Sequence, residues 1–363
     1  MSIFTFSVIK ILFLSFCSAI LSLALAPFLI NFLYRIRFWR KESRTKAITG
    51  EKVNVSYNIH QQEELRTPRG GGILIWLTTL IIIFLFSLIA QVSDIWWLQE
   101  LNFLSRSETW LPFFTLIAAS FLGLLDDALT VSDKGKYIGG GMSFKKRLFL
   151  VILIGLVGGW WFYYKLERAT VLIPLIYNFP EGINLTIGSW YIPLFVLVVV
   201  ASWSGGIIDG LDGLAGGVFS SIFGALTIIA FAQGKIDLAA FCAVILGTLF
   251  TFLWFNIPPA RFYMGETGIL GLTSVMAVTS FLTDSVVVLP IIAAPIVITV
   301  GAAILQVLSK KLRNKKIWLA TPIHHHLEAK GWPHYKITMR FWIMGVVFAI
   351  IGVAIRLLAQ NGV

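Results

Sequence analysis

Three consecutive histidines and several acidic side chains lie within or beside strongly apolar segments of this sequence. The histidines are His324, His325 and His326, and the acidic residues include the adjacent pair Asp126 and Asp127. Histidine and aspartate are costly inside a lipid bilayer, so a membrane protein keeps them there, or at its interface, mainly where they work. The pattern therefore indicates an enzyme with a polar site at the membrane surface.

The Asp126–Asp127 pair follows directly on an apolar run. Adjacent carboxylates repel each other, and a divalent cation or a shared proton relieves that repulsion. Two solvated aspartates at a helix end are the simpler alternative, although the helix dipole disfavours anions at a C-terminal end. On balance the pair favours a functional role.

A glycine-rich segment, GGIIDGLDGLAGG at 205–217, carries Asp209 and Asp212. If this turn is helical, their three-residue spacing puts both carboxylates on one face. The glycines would let the backbone approach a ligand closely, although small residues also serve helix packing in membranes. The two aspartates make the ligand interpretation the stronger one.

A pair of prolines, Pro258 and Pro259, ends one apolar helix, and we expect the next to begin near Gly268. Glu266 and Thr267 would then lie in its first turn, where an anion is favoured and free backbone N–H groups can hold phosphate. For Glu266 alone, an ordinary N-terminal helix charge is the simpler explanation.

Consecutive histidines on a helix point about 100° apart, so the three imidazoles cannot all bind one zinc ion. Beside a basic loop they suit a phosphate or diphosphate, although a surface histidine run without a role is the alternative. Carboxylates, imidazoles and many cations together predict Mg²⁺ and a phosphorylated substrate. A site at the membrane surface implies that one reactant is a lipid.

The composition is that of a membrane protein, with 57% hydrophobic and 13% charged residues, whereas soluble domains carry roughly 25% charged residues. Apolar stretches of about 20 residues predict an all-α polytopic protein, a single domain over 1–363 with about ten transmembrane helices. The first is expected to be retained rather than cleaved as a signal peptide. The predicted spans are 6–34, 71–90, 111–130, 148–164, 189–205, 214–232, 238–255, 268–283, 286–308 and 341–358.

Charge predicts the orientation of these helices. Ten spans put 23 of the 29 Lys and Arg residues on one face, in loops 35–70, 131–147, 206–213, 256–267 and 309–340. The positive-inside rule makes that face cytoplasmic and puts both termini outside. Since the cations follow loop orientation, the net charge of +11 does not indicate nucleic-acid binding.

Together these segments resemble the polyprenyl-phosphate N-acetylhexosamine 1-phosphate transferases, and within them the phospho-N-acetylmuramoyl-pentapeptide transferase (MraY) family. The most specific string is PIHHHLEAKGWP at 322–333, followed by Lys336 and RFW at 340–342. Matching segments extend from His60 to Trp342, which is most of the chain.

The resemblance implies a ten-helix enzyme of the bacterial plasma membrane, usually a homodimer, with a Mg²⁺-dependent site that faces the cytoplasm. Such an enzyme transfers phospho-MurNAc-pentapeptide from UDP-MurNAc-pentapeptide to undecaprenyl phosphate, giving lipid I and UMP in peptidoglycan synthesis. By position, it assigns catalysis to Asp126, Asp127 and Glu266, and metal binding to Glu266 and Asp212. The residues that it assigns to substrate binding are Asp209, Asp212, Asn256, Lys145, His324 and His325.

The chain departs from the family's pattern at several positions. Thr130 stands where the family has a lysine, and Glu266 stands where the family's FMGD motif has aspartate. Lys134, Lys136 or Arg69 is expected to replace the lost cation. The remaining departures are Trp203 and Gly206 in place of asparagines, Glu64 in place of a lysine, and RTPRGGG at 66–72 in place of a Gly-Thr-Pro-Thr-Met-Gly-Gly loop.

Two alternatives stay open at the level of sequence. One is a sister transferase that uses UDP-GlcNAc or a related sugar, which the altered acidic motifs mildly favour and the histidine string disfavours. The other is a non-catalytic membrane binding protein or transporter that retains the scaffold. Turnover with the two donors separates the first from the main hypothesis, and ligand binding without turnover would identify the second.

Overall fold

A computed structural model describes residues 2–40, 66–105, 108–132, 141–175 and 182–359 of the chain. Within these ranges ten helices are long and apolar enough to cross a membrane, which confirms the predicted all-α polytopic fold. In chain order α1 to α10 are Ile3–Arg35, Gly72–Val92, Trp110–Val131, Phe144–Tyr164, Tyr191–Ser204, Leu214–Ala232, Ile236–Asn256, Gly265–Leu282, Ala294–Arg313 and His334–Leu358. The side of the membrane on which the termini lie stays a prediction.

Short elements connect the long helices. Single 3-10 turns at Gly188–Trp190 and Gly205–Ile208 extend α5 at both ends. An antiparallel hairpin between α4 and α5 pairs β1, Thr170–Ile173, with β2, Ile183–Thr186. Periodicity did not predict these strands, because four residues are too few for an alternation to stand out. The short helices are Trp96–Gln99, Leu289–Ile292 and Ile323–Ala329.

The predicted split between the eighth and ninth spans is confirmed, but the ninth begins later than expected. Helix α8 ends at Leu282, and α9 begins at Ala294 rather than at 286. The short helix Leu289–Ile292 lies between them, and each of these two helices carries a proline in its first turn. Proline is favoured at that position because its missing N–H has no helical partner there. Hydrophobicity alone could not show that the ninth long helix begins at Ala294.

Helix α8 is the centre of the bundle, with 94% of its most apolar stretch buried. Glycines bring neighbouring backbones against it: Gly123 of α3 touches the backbone of Glu266, and Gly72 of α2 touches that of Gly268. Membrane helices associate largely through such close packing, since lipid offers no hydrophobic drive for helices to pair. The close approach matters because Glu266 belongs to the candidate site.

The outermost helices show the opposite pattern. Only 28% of the apolar stretch is buried in each of α1, α4 and α10. Large side chains on their outer faces, such as Phe16, Phe149 and Ile350, are more than half exposed. Such a surface would be unfavourable in water and is the expected one in contact with lipid chains. The exposed faces therefore support membrane insertion of the whole bundle.

The contact at Gly123 gives a test of this packing. A Cβ at position 123 would lie 2.2 Å from the backbone oxygen of Glu266, so Gly123→Ala must force α3 and α8 apart. We expect a loss of stability of about 1–3 kcal/mol, as for other overpacked interiors. Gly301→Ala in α9 is the control, since a Cβ there meets nothing within 4 Å. Thermal unfolding in detergent measures both, and equal melting temperatures would contradict the packing described.

Candidate functional site

Carboxylates from two distant segments bind the N-terminus of α8. The helix begins at Gly265, three residues before the predicted start, and Glu266 lies in its first turn as expected. The N–H of Thr267 donates to Oδ2 of Asp127 at 3.0 Å, and the N–H of Gly265 bonds to the carboxylate of Asp209. The dipole and the free N–H groups of a helix start favour anions. Here side-chain carboxylates, rather than phosphate, fill that role.

A single arginine joins the acidic pair of α3 to Glu266. Arg147 in the first turn of α4 places Nη2 2.8 Å from Oδ2 of Asp126 and Nη1 2.7 Å from Oε1 of Glu266. The Asp126 side chain is 2% exposed, so its charge depends on this partner. One guanidinium thus holds α3, α4 and α8 together at their polar ends.

The sequence resemblance singles out Lys145 of the basic run at 145–147 as a ligand of the diphosphate, not as the partner of these acids. Lys145 is exposed at the start of α4, whereas Arg147 contacts the acids. Residues that are two positions apart in a helix point to opposite faces, because each residue turns the helix by 100°. That rule could have shown that only one of the two faces inward, though not which one. The assignment of Lys145 to the diphosphate stays a prediction.

A second arginine neutralises the other aspartate of the pair. Nε of Arg69 lies 3.2 Å from Oδ1 of Asp127, whose side chain is fully buried. The pKa of Arg69 is raised: burial alone would lower it, and the charges of Asp127, Glu266 and Asp209 outweigh that effect. Arg69 thus supplies a cation to the pair, as one of three expected replacements for the lost lysine. Lys134 and Lys136, like Glu64, lie outside the described residues.

Thr130 has a structural role at the position where the family has lysine. Its hydroxyl donates to the backbone oxygen of Asp126 at 2.9 Å and accepts the N–H of Gly141 at 3.2 Å. The next N–H, that of Met142, donates to Oδ1 of Asp126. Gly141 and Met142, just before α4, are therefore tied to the end of α3 by hydrogen bonds from their backbone N–H groups.

The glycine-rich segment does not place its two aspartates on one helical face. After the 3-10 turn that ends at Ile208 the chain runs as turns, and Gly213 has a φ of +74°. Asp209 binds the N–H of Gly265, whereas Asp212 accepts the N–H of Ala260 at 3.1 Å. The condition for a shared face, a helical turn, is therefore not met, because the glycines let the chain turn between the two carboxylates.

Asn256 at the end of α7 connects the two loops that lie beside the acids. Its Oδ1 accepts the N–H of Gly213 at 3.0 Å, and its Nδ2 donates to the carbonyl of Phe262 at 2.8 Å. The side chain is 3% exposed. Both ends of the amide are therefore used by the backbone, which indicates a positioning role, and direct binding of substrate stays a prediction.

His324 brings the histidine segment to the same site. Its imidazole is fully buried and packs directly against Gly210, where a Cβ would collide with Nε2 of the ring. Gly210 follows Asp209, which binds the start of α8. A continuous path of contacts therefore runs from His324 through the glycine-rich turn to the first turn of α8, where Glu266 lies.

The other two histidines, His325 and His326, form hydrogen bonds with their own separate partners. Nδ1 of His325 lies 2.5 Å from one carboxylate oxygen of Glu328, and Nε2 of His334 lies 2.5 Å from the other. Nδ1 of His326 accepts the N–H of Leu319 at 3.1 Å. The ring of His325 packs edge-on against that of His324, with centroids 4.5 Å apart, while the hydrogen bonds of His325 and His326 go to different partners. Glu328 is an additional residue of this segment that holds two imidazoles.

The donor chemistry at the acid cluster fits a hard divalent cation, since Asp126, Asp127 and Glu266 offer carboxylate oxygens. In the part of the chain that the structure describes, no three His, Cys, Asp or Glu side chains form a ready metal cage. Arg147 and Arg69 already pair with these carboxylates. A metal ion would therefore compete with these guanidiniums for the carboxylates.

A crevice with an empty volume of about 250 Å³ opens beside this cluster, between α3, α4 and α8. One part of its wall is polar and the other apolar. The polar residues are Asp126, Arg147 and Glu266, and the apolar ones are Leu122, Met142, Leu150 and Leu270.

Asp209 makes stability depend on pH. Burial is the main reason that the pKa of Asp209 is raised to about 7. The charges of Glu266 and Asp127 add to this effect, whereas Arg69 and the N–H of Gly265 oppose it. The unfolded chain titrates near 3.9, so the folded protein holds this proton more tightly. The contribution to the free energy of unfolding is therefore present below about pH 4 and is lost as pH rises to about 7.

We expect Asp209→Asn to remove this contribution to the slope of unfolding free energy against pH, because the amide does not titrate. Thermal unfolding followed by tryptophan fluorescence, between about pH 5 and pH 8, measures the change. Asp94→Asn is the control, since Asp94 is exposed in the loop after α2. An unchanged slope in Asp209→Asn would contradict the raised pKa.

The Glycosyl transferase family 4 profile matches residues 109–284, a range that contains the acidic pair, the glycine-rich turn and Glu266. The chain is also similar over nearly its full length to curated proteins named phospho-N-acetylmuramoyl-pentapeptide-transferase. The one from Oceanobacillus iheyensis is 33% identical over 340 residues, 93% of this chain and 95% of that protein. The one from Geobacillus sp. strain WCH70 is 30% identical over 341 residues, with the same coverage. This multi-pass membrane protein therefore belongs to the phospho-N-acetylmuramoyl-pentapeptide-transferase family.

Proposed function

We propose that the chain transfers phospho-MurNAc-pentapeptide from UDP-MurNAc-pentapeptide to undecaprenyl phosphate, giving lipid I and UMP. A P–O bond forms between the lipid phosphate oxygen and the β-phosphorus of the UDP-sugar. The bond from that phosphorus to the bridging oxygen breaks, and the electron pair leaves with UMP. The family membership and the acid–arginine cluster support this reaction.

The observation that carries the proposal is the meeting of Arg147 with Asp126 and Glu266 at a crevice that is polar on one side and apolar on the other. Transfer of a phosphoryl group needs alignment and charge neutralisation more than covalent chemistry. Guanidinium groups are well suited to phosphate oxygens because they donate two parallel hydrogen bonds. The apolar wall suits the first isoprene units of the lipid.

The aspartate pair is proposed to act by orienting the arginines rather than as a strong base. Asp126 holds Arg147, and Asp127 holds Arg69. A phosphate monoester has its second pKa near 6, so the attacking lipid phosphate is already largely ionised at neutral pH. Fixed guanidiniums of this kind stabilise charge that develops in the transition state without having to reorganise.

Mg²⁺ is the proposed cofactor, and Glu266 is its first proposed ligand. Asp126 shares Arg147 with Glu266, so it is better placed as the second ligand than Asp212, whose carboxylate binds Ala260. When bound there, Mg²⁺ would neutralise and align the diphosphate. The longer side chain of glutamate changes where that ligand oxygen lies, relative to aspartate, by roughly one bond length.

The nucleotide-sugar is proposed to lie over the glycine-rich turn. His324 packs against Gly210, and the ring of His325 lies against that of His324. Asp209, Asp212 and Asn256 shape its backbone, and Lys145 lies exposed at the rim of the cluster. We also propose a cytoplasmic site in the bacterial plasma membrane, because the topology predicted from the sequence puts the cation-rich loops on the face that carries the site residues, and a homodimer as in the family.

Donor choice tests the proposed reaction. Full-length protein in detergent, with Mg²⁺ and undecaprenyl phosphate, is expected to release UMP from UDP-MurNAc-pentapeptide at least about tenfold faster than from UDP-GlcNAc. The reason is that a site built to bind an extra polar group rejects donors that lack it. Faster release from UDP-GlcNAc would instead identify a sister transferase. Absence of release from both donors would contradict catalysis.

Substitution of Glu266 tests whether the site depends on the longer side chain of glutamate. Its contact with Arg147 spans from α8 to α4 at 2.7 Å, and aspartate is too short to keep it. We expect Glu266→Asp to lower kcat about tenfold and Glu266→Gln to lower it by roughly 10²-fold, as for other lost electrostatic groups. Glu100→Gln, an exposed residue in the loop before α3, is the matched control. A Glu266→Asp variant at least as active as wild type would show that the glutamate is only tolerated.

A further inference from the structure

Arg147 contacts two carboxylates that a divalent cation would use. Its two terminal nitrogens lie 2.8 Å from Oδ2 of Asp126 and 2.7 Å from Oε1 of Glu266. A divalent cation held by these carboxylates would compete with the guanidinium for them, because two positive charges repel each other at short range. In this arrangement the arginine weakens metal binding at the cluster.

Phosphate offers the guanidinium an equivalent partner. Arginine binds phosphate and carboxylate through the same fork of two N–H donors, and phosphate carries the greater charge. The Arg147 side chain is 21% exposed and borders the crevice of about 250 Å³. It therefore has an exposed side from which a phosphate can approach.

The neighbouring charges would hold the acids in place after Arg147 moves. Arg69 keeps Asp127 at 3.2 Å, and the N–H of Met142 keeps its bond to Asp126. Glu266 is fixed by the first turn of α8, whose N–H groups bind Asp127 and Asp209. Removal of one guanidinium would leave two carboxylates close together and uncompensated, which is the condition that favours a divalent cation.

We propose that Arg147 makes metal binding depend on phosphate binding. Without a phosphate anion, Arg147 occupies Asp126 and Glu266 and keeps divalent cations weakly bound. A phosphate group, from the nucleotide diphosphate or from the lipid, draws the guanidinium away and exposes both carboxylates to the metal. This deepens the proposed function and rests on it, since it assumes that phosphates and a divalent cation meet at this cluster.

The metal alone gives the first test. Mn²⁺ binding to the full-length protein in detergent is followed by the electron paramagnetic resonance signal of the free ion, without nucleotide or lipid. We expect Arg147→Gln to bind Mn²⁺ about tenfold more tightly than wild type, within the range typical of coupled sites. Lys146→Gln removes the same charge from an exposed neighbour and should stay within about twofold of wild type. Equal affinities in wild type and Arg147→Gln would overturn the proposal.

Phosphate ligands give the second test, which needs only wild type if Arg147→Gln does not fold. At a fixed concentration of free Mn²⁺, inorganic phosphate, UDP and a short-chain polyprenyl phosphate are added separately. A gain in metal affinity with UDP alone identifies the nucleotide as the trigger, and a gain with the polyprenyl phosphate alone identifies the lipid. No gain with any of the three would overturn the proposal. Turnover is measured separately, so loss of coupling in an active enzyme leaves the proposed reaction intact.

Discussion

The structure of the site depends on the neutralisation of acids by arginine at the polar ends of three helices. Asp126, Asp127 and Glu266 meet there because α3 packs against α8 at Gly123. Without cations, buried carboxylates this close would repel each other and favour protonation. Arg147 and Arg69 remove that cost, and Arg147 does so by joining three helices. The same pairs that allow the helices to pack also present guanidiniums to an approaching phosphate.

The departures from the family's pattern are related to one another in space. The position that lost its lysine, Thr130, now hydrogen-bonds to backbone, and Arg69 brings a cation to Asp127 from a different loop. Glu266 reaches Arg147 with its longer side chain. Together these contacts keep the acids matched by cations.

Much of the fold could be predicted from sequence, because runs of apolar residues have few explanations other than membrane helices. The restart at Ala294 and the hairpin at 170–186 could not, since prolines and two four-residue strands leave hydrophobicity almost unchanged. For the site, residue type identified the acids and histidines. The cations that pair with these acids could not be predicted in the same way. Arg147 follows Lys145 by two residues, and only packing shows which of them faces the acids. The turn at Gly213 likewise separates Asp209 from Asp212 in a way that spacing does not reveal.

The central claim is that Arg147 and Glu266 interact directly across two helices, and a double-mutant cycle measures that interaction. Unfolding free energies of wild type, Arg147→Met, Glu266→Met and the double variant, from reversible denaturation in mixed micelles, give the coupling between the two side chains. Direct contact predicts a coupling of about 0.5–3 kcal/mol, with the double variant less destabilised than the sum of the single ones. Additivity within about 0.3–0.5 kcal/mol, as for residues far apart, would contradict the account.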